Sequence, residues 1–152
     1  MPNSVTPFLW YQVDLREVID YYRSIFPDME VYDIVPGADG AIFTARFRLF
    51  GQELFVLNGG PMFTFNESFS LFVSCNGQAE VDDLWAKLTA NGGEESQCGW
   101  LKDRYGLSWQ IIPTRLMELL GDPDPERANR AQQAMLQMQK IDIAALEAAA
   151  AG

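Results

Sequence analysis

Apolar residues along the chain follow a strand-like spacing in some segments and a helical spacing in others. The order of these segments predicts one structural unit that occurs twice. An apolar and aromatic run at residues 5–12 predicts a strand, and residues 15–26 carry apolar side chains at helical spacing. Three more strands are predicted at residues 29–34, 41–50 and 53–57. Turn residues, such as those of the PGADG segment, separate these strands. The first half of the chain therefore predicts the order βαβββ.

The second half repeats this order without residue-level identity. A strand is predicted at residues 69–75, a helix with one apolar face at 78–90, and up to three strands at 92–97, 99–102 and 107–112. A repeat of pattern is a signature of fold rather than of function. Two small sheets, each covered on one face by a helix, predict an α+β domain whose curled mixed sheets surround a cavity.

The C-terminal part changes to helical spacing. A short helix is predicted at residues 113–120, the GDPDP segment breaks it, a second helix spans 126–139, and residues 140–151 form a last short helix or a frayed tail. Ala131, Ala134, Met135 and Met138 form an apolar stripe, which suits either a core or a subunit interface. We therefore predict a paired βαβββ domain over residues 1–113. A helical extension over residues 114–152 would pack on the same domain or on a partner subunit.

The segment QCGWLKDRYGLSWQIIP, residues 97–113, predicts a hairpin with a tight turn that ends at Gly106. Its second strand places Ser108, Gln110 and Ile112 on one face. A polar Gln110 among large apolar residues indicates a side chain that either lines a cavity or points to solvent. Trp100 lies on the first strand of the same hairpin.

Composition and charge narrow the classes of function. The chain has 152 residues, 48% hydrophobic and 21% charged, which is typical of one soluble globular domain. Its net charge of −10 argues against binding to nucleic acid, which needs clustered Lys and Arg. The sequence shows no apolar run of about 18 residues and no secretory leader, so we expect no membrane partner and a cytoplasmic location.

Histidine is absent from the sequence, and this removes the commonest general base and metal ligand near neutral pH. The two cysteines, Cys75 and Cys98, predict reduced thiols rather than a disulfide framework. A nucleophilic cysteine would need a base or a positive neighbour, and no histidine exists to serve it. Buried structural thiols are therefore the expected interpretation.

Several segments together carry a resemblance to a known family. They are PFLWYQ, YYRSIFP, FGQELFVLNGGPMFTFNES, SCNGQAEVDDLWAKL, the hairpin segment above and the tail AMLQMQKIDIAALEAA. Over about residues 7–149 the chain resembles the PhnB-like branch of the vicinal oxygen chelate superfamily, which includes glyoxalases, ring-cleaving dioxygenases and bleomycin resistance proteins. Within that branch it is most similar to the 3-demethylubiquinone-9 3-methyltransferase-like group. The resemblance implies the paired βαβββ fold and a homodimer.

The resemblance also implies where a metal would be held, because metal-using relatives take mostly His and Glu ligands from four strands. The corresponding positions fall near Phe8, Leu54 or Phe55, Phe69 or Ser70, and Gln110. None of them is a carboxylate or an imidazole, and Met62 stands where the group frequently carries a histidine. Glu53 neighbours one position but is expected to face the opposite side of the sheet. We therefore predict no metal and no cofactor.

Three hypotheses of function follow from these observations. The first is a metal-independent protein that binds a small apolar molecule in the sheet cavity. Its candidate ligand-binding residues are Trp10, Asn58, Ser70, Trp100 and Gln110. The second is a metal-independent enzyme of the superfamily that acts through Glu53, Cys98 or Tyr105, and the third is a packed structural or interaction module. Methyl transfer is not predicted, because no glycine-rich nucleotide-binding turn follows the first strand.

Overall fold

A computed structural model describes residues 2–152. These residues form two compact units, which divide between Thr64 and Phe65. Each unit contains the strand–helix–three-strand order that the sequence predicts, with a four-stranded mixed sheet. The α+β class and the paired βαβββ architecture are thereby confirmed.

The first unit consists of one helix on one sheet. Its elements are Phe8–Tyr11 (β1), Leu15–Ile25 (α1), Glu30–Pro36 (β2), Ile42–Leu49 (β3) and Gln52–Asn58 (β4), with a 3₁₀ turn at Ala38–Gly40 between β2 and β3. The strand order is β1-β4-β3-β2, in which β1 and β4 are parallel and the other pairs are antiparallel. Asp14 caps α1, since its carboxylate accepts a hydrogen bond from the Arg16 amide at 3.1 Å.

Strand alternation gives the first sheet one buried face and one more exposed face. The buried side chains that α1 covers are Leu9, Tyr11, Ala45, Phe47, Leu54 and Val56. The opposite side, which we call the open face of the first sheet, carries among others Phe8, Trp10, Arg46, Glu53, Phe55 and Leu57. This face mixes aromatic rings with charged groups, unlike the apolar face under α1.

The second unit adds three helices to the same plan. Its elements are Ser70–Cys75 (β5), Gln78–Thr89 (α2), Glu94–Glu95 (β6), Trp100–Lys102 (β7), Ser108–Pro113 (β8), Thr114–Leu120 (α3), Pro125–Met135 (α4) and Ile143–Ala151 (α5). The strand order is β5-β8-β7-β6, with β5 parallel to β8. Buried Val73, Leu101, Trp109 and Ile111 face α2, while the other side forms the open face of the second sheet.

The β7–β8 hairpin is present as predicted, and a buried carboxylate holds its turn. Asp103 is only 1% exposed. It accepts hydrogen bonds from the amides of Tyr105 at 2.8 Å and Leu107 at 3.2 Å, and from the Trp109 indole N–H at 3.0 Å. Gly106 has a φ of 83°, which few side chains tolerate. The turn therefore depends on one aspartate and one glycine.

The apolar stripe of the C-terminal region packs on its own chain. Met135 and Met138, together with Ala134 and Leu120, lie against a cluster of buried side chains. The members of this cluster are Ile112, Leu116, Leu119, Ala131, Ile141, Leu146 and Ala150. The stripe therefore contributes to an apolar cluster within the chain.

The helix that carries the stripe is shorter than predicted. It ends at Met135 rather than at residue 139, because the carbonyls of Met138 and Gln139 accept hydrogen bonds from the amides of Cys98 and Gly99, each at 2.8 Å. The last segment is a helix, since the Asp142 carboxylate caps it.

Among residues 2–152, no helix combines the length and the apolar character needed to cross a bilayer.

Candidate ligand-binding site

Two neighbouring rows of side chains cross the open face of the second sheet. Register pairs Phe72 with Gln110 and Gln110 with Trp100, and we call these three residues the aromatic row. The next row, which we call the polar row, runs across all four strands through Ser70, Ser108, Lys102 and Glu94. Directly paired residues point to the same side of a sheet, and residues two apart along a strand share that side. Both rows therefore lie on the face opposite α2.

The aromatic row places one amide between two apolar side chains. Phe72 is 49% exposed and Trp100 is half-buried. The Gln110 side chain donates a hydrogen bond from Nε2 to Ser70 Oγ at 3.0 Å, which fixes its position. An amide offers two N–H donors and an acceptor oxygen, so this bond uses only part of its capacity. The row is suited to an apolar or aromatic molecule with one polar group.

A cleft of about 180 Å³ lies beside the polar row. Its lining residues are Glu67, Glu94, Glu95, Ser96, Trp100, Leu101, Lys102 and Ser108. The Lys102 ammonium makes an ion pair with Glu67, and this hydrogen bond raises the pKa of Lys102 and lowers the pKa of Glu67. Glu95 accepts a hydrogen bond from the Trp85 indole N–H at 2.6 Å, which fixes that carboxylate.

Ser108 is the unusual member of this lining. It is 1% exposed, and its hydroxyl finds no hydrogen-bond partner among residues 2–152. A buried hydroxyl without a partner costs free energy, and structures seldom tolerate one without a reason. The cleft beside it offers room for a group that could supply the missing bond.

The open face of the first sheet carries a stacked and ion-paired arginine. The rings of Phe8 and Phe55 lie 4.8 Å apart, and the Arg46 guanidinium lies 4.5 Å from the Phe55 centroid. Arg46 Nη1 also contacts Glu53 Oε1 at 2.8 Å. Glu53 therefore shares a face with Phe55, and the expectation that it points to the opposite side is wrong. The reason is that Phe55, two residues from Glu53, is the partner of Phe8 in the sheet, whereas Leu54 is buried under α1.

The surroundings of Glu53 keep its carboxylate ionised. The nearby Tyr32 hydroxyl and the Arg46 guanidinium hold the pKa of Glu53 below its ordinary value. A carboxylate with a lowered pKa is a weaker base, and this one already has a cationic partner.

Trp10 holds a loop, and its polar atom is occupied. Its indole N–H donates to the Gly60 carbonyl at 2.8 Å, and its ring lies against Gly59 and 5.0 Å from the Phe63 ring. Asn58 pairs with Tyr11 in the sheet and so lies on the face opposite Trp10.

The five predicted site residues thus fall into two groups. Ser70, Trp100 and Gln110 lie together on the second sheet. Trp10 and Asn58 lie on neighbouring strands of the first sheet, on its two faces.

Sequence reasoning did not select Phe72 or three members of the polar row, namely Ser108, Lys102 and Glu94, as site residues. Alternation within each strand was readable from the sequence. The register between β7 and β8 depends on the length of the turn that joins them, and this register sets Lys102 opposite Ser108. A register drawn from that turn would have brought Lys102 and Ser108 together, whereas Phe72 and Glu94 join them through the β5–β8 and β6–β7 pairs.

The side chains at the implied metal positions do not fit a catalytic transition metal. The rings of Phe8 and Phe55 pack against each other, and Ser70 and Gln110 share a hydrogen bond. Nowhere in residues 2–152 do three or more His, Cys, Asp or Glu side chains come together in a group that could hold a metal ion. Aromatic rings and a neutral hydroxyl–amide pair lack the carboxylate and imidazole donors that such sites use.

Both thiols are free in the structure, and they differ in exposure. Cys75 is buried on β5, and burial raises the pKa of its thiol to about 12. Cys98 is half-buried beside the start of β7.

Comparison with known proteins now places the chain in a family. Residues 3–112 match the sequence model of the family described as 3-demethylubiquinone-9 3-methyltransferase. The chain belongs to this family. The matched range contains the strands and the helix of each βαβββ unit, which agrees with the resemblance drawn from the sequence segments. A search of curated proteins gave no match to the chain.

Solved structures show the same fold. A PhnB protein from Bacillus cereus, named as a candidate 3-demethylubiquinone-9 3-methyltransferase, is 29% identical with a TM-score of 0.66 and covers 73% of this chain and 99% of its own. A glyoxylase/bleomycin resistance protein/dioxygenase domain from Frankia is 16% identical with a TM-score of 0.52, covering 74% and 92%. The fosfomycin resistance protein FosX from Listeria monocytogenes, solved with Mn(II) and sulfate, is 14% identical with a TM-score of 0.52, covering 72% and 87%. The last two similarities establish the fold alone, which is the glyoxalase/bleomycin resistance fold.

Proposed function

We propose that this protein binds a small, mainly apolar molecule on the open face of the second sheet, without a metal ion. The aromatic row is the observation that carries the proposal. Phe72 and Trp100 offer apolar surface on either side of Gln110, whose amide is fixed by Ser70 and retains hydrogen-bonding capacity. Ligand sites commonly combine apolar walls with a few fixed polar groups.

Metal independence is part of the proposal and has its own test. The side chains at the four implied positions are two phenyl rings, which have no donor atom, and a hydroxyl and an amide, which hold transition metals weakly. Elemental analysis of dialysed protein should find zinc, nickel, iron and manganese well below one equivalent. One equivalent that survives dialysis would overturn this part of the proposal.

Binding is favoured over catalysis because three potentially reactive groups are held in unreactive states. Glu53 is paired with Arg46, and the Cys75 thiol has a pKa of about 12. The ion pair with Glu67 raises the pKa of Lys102, so this side chain stays an ammonium and cannot take a proton from Ser108. We therefore favour the hypothesis of a binding protein over that of a metal-independent enzyme.

The test of ligand binding is a comparison of small molecules that co-purify with matched variants. Phe72→Asp places a charge in the aromatic row, and Met117→Asp places the same charge at a similarly exposed apolar position on α3. Mass spectrometry of extracts should show a compound enriched with the wild-type protein and with Met117→Asp but lost from Phe72→Asp. A cooperative thermal unfolding transition in each variant is the control for folding. Equal retention by both variants, or no enriched compound, would overturn the proposal.

We also propose that the protein is a homodimer, as the family resemblance implies, and that it is cytoplasmic, as the sequence predicts. Support comes from the edge strand β2, on which Ile34 and Val35 are each about half exposed. Edge strands with apolar side chains are surfaces that proteins usually cover. Light scattering at micromolar concentration should give twice the mass of one chain, and a monomer would contradict the proposal.

A further inference from the structure

We infer that the ligand carries a positively charged amine, which the cleft beside the polar row binds while the apolar body lies on the aromatic row. This inference rests on the proposed function and adds the charge and the placement of the ligand's polar group. Trp100 joins the two regions, since it belongs to the aromatic row and also lines the cleft.

The charge of the lining favours a cation. The residues that line the cleft include three acidic ones, Glu67, Glu94 and Glu95, and one basic one, Lys102. The whole chain has a net charge of −10, which adds a long-range attraction for cations. An anionic group would have to displace Glu67 from Lys102 and approach the Glu94 carboxylate on the same face.

Lys102 does not oppose a cationic ligand, because acidic groups already neutralise it. Glu67 makes a direct ion pair with Lys102, and Glu94 stands opposite Lys102 in the β6–β7 pair. Glu95 is fixed by Trp85 on the side facing α2. Glu94 is therefore the carboxylate best placed on the open face to accept a hydrogen bond from an ammonium.

The Ser108 hydroxyl is the second and independent sign of a ligand. Its side chain shares a face with Lys102, lines the cleft, and is buried without a hydrogen-bond partner in residues 2–152. A serine hydroxyl has acceptor lone pairs, and an ammonium has three donors. One ammonium could therefore bond to Glu94 and to Ser108 together, which would remove the cost of the unpaired hydroxyl.

The size of the cleft suits a short amine arm. Its volume of about 180 Å³ is several times the space that one water molecule needs. An ammonium on a two-carbon chain fits this space, with an aromatic body remaining outside it on the Phe72–Trp100 surface. Contact of the cation with the Trp100 ring would add a favourable cation–π term.

Three probes with one aromatic body separate this inference from the proposed function. They are 2-phenylethylamine, which is a cation at neutral pH, 2-phenylethanol, which is neutral, and 3-phenylpropionate, which is an anion. Titration of the full chain, followed through the indole N–H signal of Trp100, should give the strongest binding for the amine and the weakest for the anion. If the alcohol or the anion binds as well as the amine, the charge inference is wrong and the proposed function stands. If none of the three binds, both fail.

Matched variants locate the amine within the cleft. Glu94→Gln and Ser108→Ala should each weaken binding of the amine, by about tenfold for the charged partner, and leave binding of the alcohol within about twofold. Glu118→Gln removes the same charge on α3, away from the cleft, and Arg115 keeps its second partner Glu147. This control should bind the amine like the wild-type protein. An equal loss in Glu118→Gln, or no loss in Glu94→Gln, would overturn the inference.

Discussion

At the scale of single residues, the contact between Trp10 and Gly59 decides how the loop after β4 is held. A Cβ atom at Gly59 would lie 2.5 Å from Cζ2 and 2.6 Å from Cδ2 of the indole ring. The φ of Gly59 is not in the left-handed region, so glycine is needed there for space rather than for backbone freedom. The ring, the Gly60 carbonyl and Phe63 together fix the path of the loop.

Gly59→Ala should therefore destabilise the protein by about 1–3 kcal/mol, the usual cost of forcing an extra carbon into a packed site. Denaturant unfolding measures the change. Gly121→Ala is the control, since a Cβ there would meet only ordinary contacts, the nearest being the Met117 carbonyl oxygen at 3.4 Å. Equal stability of Gly59→Ala and the wild-type protein would contradict this account of the loop.

The two thiols should differ in reactivity. Burial raises the pKa of Cys75 to about 12, so the reactive thiolate is nearly absent at pH 8, whereas Cys98 is only half-buried. A chromogenic thiol reagent should detect one slowly reacting thiol in the native protein and two after unfolding. In Cys98→Ser the native protein should not react, and rapid reaction of that variant would show that Cys75 is accessible.

Residue types and strand alternation were readable from the sequence, but the partners of individual side chains were not. The sequence predicts Trp10 as a ligand-binding residue, yet its indole N–H donates to the Gly60 carbonyl. Glu53 was assigned to the wrong side, because the choice between Leu54 and Phe55 depends on which of them pairs with Phe8. Both facts depend on contacts between residues more than forty positions apart.

At the scale of elements, Asp103 is the residue on which the β7–β8 hairpin depends most. Its two oxygens accept hydrogen bonds from two turn amides and from the Trp109 indole, in a site that is almost fully buried. The same hairpin places Trp100 opposite Gln110 and Lys102 opposite Ser108. Both rows of the proposed site therefore depend on this turn.

Asp103→Ala should destabilise the second unit by about 3 kcal/mol or more, because it leaves several buried donors without an acceptor. Asp103→Asn should recover part of the loss, since one oxygen remains, but the amide nitrogen cannot accept from Trp109. Thermal unfolding followed by tryptophan fluorescence measures both changes. Wild-type stability of Asp103→Ala would contradict the role given to this carboxylate.

The elements themselves were predictable because their signals are local. Helical spacing in α1 and α2 and alternation in β3 placed them within a few residues of their observed bounds. The end of α4 was not predictable, because Met138 and Gln139 leave the helix to bond with Cys98 and Gly99 on a distant part of the chain. Tertiary hydrogen bonds here outweigh the helical tendency of the segment.

At the scale of the whole molecule, the chain has the fold of its family, and the positions at which the resemblance implies a metal carry no carboxylate or imidazole. Paired βαβββ units and a match over residues 3–112 show the family. Phe8, Phe55, Ser70 and Gln110 stand where metal-using relatives are expected to place ligands. The absence of histidine made this feature readable from the sequence, whereas the aromatic and polar rows needed the strand register.

The central claim is that the open face of the second sheet binds a small molecule without a metal ion. The most direct test is a titration of ¹⁵N-labelled full-length protein with 2-phenylethylamine, with and without excess EDTA. We expect saturable shifts of the Trp100 indole N–H and the Gln110 side-chain amide that are the same with the chelator present. The absence of shifts at these two groups, or shifts that appear only after a divalent metal is added, would contradict the account.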